Sequence, residues 1–225
     1  LFDSLSIRTV LLPQVVEFDI PYAGGKVSDE CLDENGILKQ EWADLVKRKT
    51  YANSNVASAA DGVVAVILTG GEDISPTLYS TPQPWHGIGE EKDYNPTRDI
   101  SDYLLMSYCI AKDIPVMGIC RGAQMLGVVS GATMTQDIPS LFAEQGIGYD
   151  PSFHRPVRGS NSSGGFSPHD VTVAPGSLLE ELAGCATIAN VPSGHHQCIS
   201  GVDSNCMKVT GCTSTNGIDI LEAVE

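Results

Sequence analysis

The sequence predicts an α/β fold with a largely parallel sheet, formed as one large domain over residues 1–225. Three observations carry that expectation. Apolar, β-branched runs alternate with stretches of helical spacing along most of the chain. Asp61 to Thr69 (DGVVAVILT) is apolar almost throughout, which suits a strand buried on both faces of a parallel sheet. Ile114 to Ile119 (IPVMGI) runs through Gly118-Ile119-Cys120-Arg121-Gly122 straight into helical spacing, a strand–turn–helix join.

The elements follow in order. Arg8 to Leu12 (RTVLL) reads as a short buried strand closed by Pro13, and Leu1 to Leu5 as the end of a helix. Ile20 to Asn35, rich in Gly, Asp and Pro, reads as a loop. Leu38 to Ala60 is expected to be largely helical. After the 61–69 strand, Gly70-Gly71 ends the run, and Ser75 to Pro96 is loop, broken by Pro76, Pro82, Pro84 and Pro96. Thr97 is placed as the N-cap of a helix reaching Lys112. The Ile114–Ile119 strand and a helix over Arg121 to Ser130 come next. Asp137 to Ser167 reads as a long loop, with Gly159 to Gly165 a flexible surface stretch. A strand over His169 to Val173, a helix opened by Pro175-Gly176-Ser177, and strands near Thr187–Ala189, Met207–Thr210 and Ile218–Val224 complete the chain.

A length of 225 residues fits one large domain better than two small ones, and 42% hydrophobic residues supply a core. The net charge of −15 argues against nucleic acid and anionic membranes, which both need a basic surface. No apolar run spans about 18 residues, so no transmembrane helix is expected, and no signal peptide is visible. The seven cysteines (Cys31, Cys109, Cys120, Cys185, Cys198, Cys206, Cys212) are odd in number, without paired spacing and without regular spacing to histidine. That pattern predicts a reducing, cytoplasmic compartment and no metal site. No cofactor is implied.

Cys120 is the strongest chemical feature. In a G-x-nucleophile-x-G turn the flanking glycines let backbone segments approach closely, and the turn lifts the nucleophile above the edge of the sheet. The helix that starts at Arg121 aims its first amides at the sulfur, so a thiol pKa below the usual range of about 8.5 is expected. The Arg121 amide then faces a developing oxyanion, and the Gly70-Gly71 turn offers a second N–H to the same point.

The matching stretches LTGGEDISPTLY (Leu68 to Tyr79), RDISDYLL (Arg98 to Leu105), IPVMGICRGAQMLGVVSGATMTQDIP (Ile114 to Pro139), HDVTVAPGSLL (His169 to Leu179) and NVPSGHHQ (Asn190 to Gln197) make the chain resemble the gamma-glutamyl hydrolase branch of the class I glutamine amidotransferase-like family. The resemblance implies a flavodoxin-like three-layer α/β/α sandwich and hydrolysis of a γ-glutamyl amide bond through a thioester on Cys120. It places the oxyanion amides on Gly71 and Arg121, and substrate contact on Gly70, Gln124, His195 and His196. Arg98 and Asp99 look structural in it. His169 is read as structural, and His86 and His154 as loop residues without a role.

A thiol nucleophile needs a base and an orienting partner. The resemblance places both in a His-Pro-Glu segment after the strand that matches Gly217 to Glu225, and no such triplet occurs in this sequence. A first strand before Leu1 and a last segment after Glu225 are therefore expected to belong to the domain. Two alternatives stay open beside the hydrolase: a glutaminase subunit that passes ammonia to a synthase partner, and a non-catalytic relative. The partner expected in every catalytic reading is a small γ-glutamyl compound. A homodimer is also open.

Overall fold

The computed structural model describes residues 7–86, 93–155 and 166–225. The helix end expected over Leu1–Leu5 and the surface stretch over Gly159–Gly165 lie outside the described residues. The first pairing is a hairpin of β1 (Tyr22–Ala23) and β2 (Lys26–Val27) within the region read as a loop. Arg8 to Leu12 does not form the expected strand. Among the described residues it pairs with nothing, and Leu11 is fully exposed. Without a neighbouring strand to take up its amides and carbonyls, an apolar run this short gains nothing from an extended conformation.

The stretch expected to be helical from Leu38 divides into α1 (Gln40–Lys47), a 3-10 turn (Tyr51–Asn53) and α2 (Val56–Ala59). β3 (Val66–Leu68) is the part of the 61–69 run that pairs, and Val64, left outside it, is largely exposed. α3 (Pro96–Ala111) begins two residues earlier than expected. Asn95, not Thr97, is the cap: its side chain accepts the Arg98 amide, and Pro96 fills the first turn, where no amide proton is needed. β4 (Val116–Gly118) leads through Cys120 into α4 (Arg121–Val129).

The second half holds elements the sequence reading left in loops. β5 (Thr133–Thr135) precedes α5 (Ile138–Glu144), which Asp137 caps by accepting the Ser140 amide. A 3-10 turn (Pro151–Phe153) then leads toward β6 (Ser167–Val173). α6 (Leu178–Ala183), capped by Ser177, connects to β7 (Thr187–Ser193). β8 (Cys198–Gly201), β9 (Val209–Thr215) and β10 (Ile218–Val224) complete the chain.

The fold is mixed α/β, as expected, but the mostly parallel central sheet of a flavodoxin-like sandwich is not what these strands form. Among the described strands the parallel pairing is β3 with β4, in the register Val66↔Val116 to Leu68↔Gly118. The larger sheet has six antiparallel strands in the order β5-β8-β10-β9-β6-β7. The reason is local. β9 and β10 are joined by Asn216-Gly217, both at positive φ (50° and 85°), the two-residue turn that folds a strand back on its neighbour. β6 alternates strictly between buried and exposed residues, as a strand with one solvated face does.

The main core lies between the helices and the parallel pair. Leu68, Ile100, Leu104, Met106, Met125 and Val128 are all buried in it. A smaller cluster of Ile138, Phe142, Cys198 and Ile220 fastens α5 to the antiparallel sheet. The two sheets therefore meet around α4, whose first residue follows Cys120. No helix among the described residues is long and apolar enough to cross a membrane.

Candidate active site

The β4–α4 join is tight because two residues lack side chains. A Cβ on Gly122 would lie 2.2 Å from the Leu68 carbonyl oxygen, and one on Gly118 would lie 2.5 Å from the Gly122 carbonyl. These contacts let the first turn of α4 rest on the ends of β3 and β4. The Ile119 amide continues the parallel pairing by donating to the Leu68 carbonyl at 2.8 Å. Cys120 takes up the remaining angle, with φ 52° and ψ −111°, a conformation that costs a non-glycine residue about 1–3 kcal/mol. The strain fixes the sulfur above the join.

The Gly70-Gly71 turn faces it. A Cβ on Gly70 would sit 3.4 Å from Cys120 Cβ. The turn is held by Arg98, which donates to the carbonyls of Thr69 (3.1 Å) and Gly70 (3.0 Å) and pairs with Glu72 at 2.9 Å. At Gly71, with φ 155°, a Cβ would fall 2.0 Å from Arg98 Nη1, so a larger residue here would displace the Arg98 fork that holds the turn. The Asn95 amide, with Arg98 behind it, holds the Glu72 carboxyl down at about 2. The backbone amides of Arg121 and Gly71 favour the thiolate of Cys120.

One expectation is corrected. Cys120 is itself exposed at the join, but desolvation by the surrounding walls pushes its thiol up from its ordinary value, against the pull of those two amides. The cavity walls and the nearby carboxylates of Asp73 and Glu222 outweigh the first turn of α4. Arg121 gives the site only its amide. Its side chain runs the other way, fully buried, and pairs with Asp99 at 2.6 Å and with Asp102. Asp99 also accepts the Ser75 amide at 3.0 Å. Arg98 and Asp99 thus hold the loops around Cys120 in place, as the structural reading expects.

The loop between β7 and β8 brings in the other expected residues. Gln124 is buried, and its Nε2 donates to the Gln197 carbonyl at 3.0 Å, which ties α4 to this loop. His196 lies between two carboxylates: Nε2 is 3.2 Å from Asp73 and Nδ1 is 3.3 Å from Asp137. Burial opposes its charge, but those two partners prevail and raise the imidazole to about 9. His195 donates Nδ1–H to the Gln197 carbonyl at 2.9 Å and turns Nε2 toward Glu222 at 3.3 Å.

Glu222 is the residue that sequence reasoning missed. Three imidazoles surround its carboxylate: His154 at 3.2 Å, His169 at 3.3 Å and His195 at 3.3 Å. Burial opposes its ionisation, and the imidazoles overcome that and hold it well below the usual carboxylate range. His154, read as a loop residue without a role, is buried against it, with Nδ1 2.6 Å from the Tyr149 hydroxyl. The available signal was the inward position of His169 in the alternation of β6. Nothing in the sequence pointed to Glu222 itself.

Two cavities open on Cys120. The larger, about 480 Å³, is walled by apolar residues such as Ile119, Phe166, Val191 and Leu221, with His169, His195 and Glu222 at one side. The smaller is polar, lined by Gly71, Glu72, Asp73, Asp93, Arg155 and His196. Cys120, Gln124 and His195 border both. Gly70 lines neither. Among the described residues the donors that could hold a metal ion are His154, His169 and Glu222, whose ligand atoms lie within 4.8 Å of one another.

Residues 45–225 match the family model described as Peptidase C26. The Mycobacterium tuberculosis protein Rv2859c, whose name places it among the glutamine amidotransferases, is 32% identical over 171 residues, covering 76% of this chain and 48% of its own. Protein NtpR of Enterococcus hirae is 28% identical over 165 residues, 73% of this chain and 62% of its own. The gamma-glutamyl-gamma-aminobutyrate hydrolase of Escherichia coli O157:H7 is 32% identical over 98 residues, 42% of this chain and 35% of its own. The chain spans about half the length of the curated relatives it matches.

Proposed function

The chain belongs to the peptidase C26 family, class I glutamine amidotransferase-like, and from that premise we propose that it is a hydrolase that cleaves a γ-glutamyl amide bond through a thioester on Cys120. One observation carries the reading. Cys120 is held at positive φ on the strand–helix join, facing the Gly70-Gly71 turn.

The chemistry follows from that placement. The thiolate attacks the γ-carbonyl carbon, and its oxygen takes up the negative charge facing the Arg121 and Gly71 amides. The C–N bond then breaks, and the amine leaves with a proton. Water attacks the thioester, releasing the γ-carboxylate and restoring the thiol. The proton carrier that the resemblance implies is the histidine of a His-Pro-Glu segment, which is not within these 225 residues.

The polar cavity suits the glutamyl end. Arg155 and the protonated His196 face an α-carboxylate, while Glu72 and Asp73 face an α-ammonium. The larger apolar cavity is left for the departing amine. The name of the Escherichia coli relative gives γ-aminobutyrate as the amine its substrate carries, and γ-glutamyl amides of small amines are the first compounds to assay here.

The test uses the full-length protein. A glutamine-like electrophile should add once, at Cys120 by peptide mass mapping. Cys120→Ala should abolish release of amine from γ-glutamyl amides. Absence of labelling at Cys120, or undiminished turnover in Cys120→Ala, would falsify the proposal. Ammonia release from glutamine that begins only on addition of a synthase would instead identify an ammonia-supplying subunit.

A further inference from the structure

The His154–His169–His195–Glu222 cluster carries more than an orienting role. Its residues come from four separate segments: the 3-10 turn after Asp150, β6, the loop after β7, and β10. Two of the imidazoles spend their Nδ1–H on backbone carbonyls. His195 donates to Gln197 at 2.9 Å, and His169 approaches the Phe153 carbonyl at 3.5 Å. A carbonyl only accepts, so in the neutral ring the proton is on Nδ1 and Nε2 presents a bare lone pair. In both residues that lone pair faces a carboxylate oxygen of Glu222, 3.3 Å away. Two lone-pair donors directed at each other need a positive centre between them, either a second proton on the ring or a metal ion.

His169 shows the deficit most plainly. Its side chain is 1% exposed, and despite the short distance to Glu222 its Nε2 makes no hydrogen bond. The spacing also has a meaning. Ligands about 2.0–2.1 Å from a tetrahedral zinc ion are about 3.3–3.4 Å from one another. Glu222 Oε1 lies 3.2 Å from His154 Nε2 and 3.3 Å from His169 Nε2, and the ligand atoms of the three residues all lie within 4.8 Å of one another. Imidazoles that point Nε2 inward while giving Nδ1–H to a carbonyl have the usual arrangement of metal ligands and their supporting partners.

We propose that His154, His169 and Glu222 bind one divalent first-row transition-metal ion in the wall of the cavity beside Cys120. The donor set of imidazole nitrogens and one carboxylate oxygen suits zinc. The ion ties the turn that carries His154 to β6 and β10. This site does not depend on the hydrolase reading, because no substrate contact is used to infer it.

The experiment uses full-length protein stripped with a chelator and titrated separately with Zn²⁺ and Co²⁺. Calorimetry should show one equivalent of Zn²⁺ bound, with a rise in the thermal midpoint. Co²⁺ should give visible ligand-field bands without the near-ultraviolet charge-transfer band of a thiolate ligand. His169→Ala and Glu222→Gln should weaken binding by more than about a hundredfold, beyond the loss expected from an outer partner. Tyr149→Phe removes only the hydroxyl on His154 Nδ1 and should weaken it by about tenfold, which covers the case of a ligand variant that fails to fold. His86→Ala, on the exposed pair with Glu144, should change nothing. A chain that takes up no stoichiometric metal, a thiolate band from Cys120, or affinity unaltered in His169→Ala and Tyr149→Phe would each overturn the site.

Discussion

At the scale of single residues, Cys120 combines two opposing demands. The strained turn displays its sulfur, while the cavity that receives it makes a thiolate costly. Burial comes first in setting its protonation, and the Arg121 and Gly71 amides recover part of the loss. The free protein should therefore react slowly with iodoacetamide at neutral pH. Followed by the mass of the Cys120 peptide, its rate should climb with pH to a midpoint above that of a simple thiol, about 8.5. A midpoint below that value would show that the helix terminus prevails, as the sequence alone suggested. This residue was legible because its signal is contiguous: a strand, two glycines and a helix start within one short stretch. The Glu222 cluster was not, since His154 and Glu222 are 68 positions apart and meet only once the antiparallel sheet has formed.

At the scale of elements, α3 and α4 are joined by charge inside an apolar interface. Arg121 is buried between Asp99 and Asp102, one turn apart on α3, and Asp99 also holds the Ser75 amide. Two carboxylates, one guanidinium and a backbone amide satisfy one another except at Arg121 Nε, which is buried without a hydrogen-bond partner, and pairing of this kind is the condition for tolerating buried charge. Removing one partner breaks that condition. Asp99→Ala should lower unfolding free energy by about 3–5 kcal/mol, since it leaves Arg121 with a deficit of negative charge. Urea denaturation measures this. Arg121→Met in the Asp99→Ala background should return much of the loss, because the uncompensated cation is gone. If the two losses simply add, the pair is not the unit described here. Periodicity marks α3 and α4 well from sequence, and the paired acids at 99 and 102 were visible in RDISD. Short strands such as β5 and β8 were not, because three or four residues carry too little pattern to separate from loop.

At the scale of the whole molecule, the α/β character was legible and the direction of most strands was not. Strand direction is set by connections. The Asn216-Gly217 turn forces β10 back along β9, and the alternation of β6 already implied a solvated face. The longest apolar run, at 61–69, pulled the expectation toward parallel pairing that β3 and β4 realise over three residues each. Charge also acts on this scale. There are 28 acidic and 13 basic residues, and of the basic ones Arg98 and Arg121 are occupied in local pairs with Glu72, Asp99 and Asp102. The surplus of negative charge repels itself across the folded surface. Raising NaCl from about 0.01 M to about 0.1 M shortens the screening length from about 30 Å to about 10 Å. That screening acts on the spread-out surplus far more than on the buried Arg121 pairs. The thermal midpoint should therefore rise by about 2–4 °C, equivalent to about 1 kcal/mol for a chain of this size, and KCl should do the same. A fall with salt would mean that exposed ion pairs outweigh the net repulsion, and that the charge balance of this surface is local rather than global.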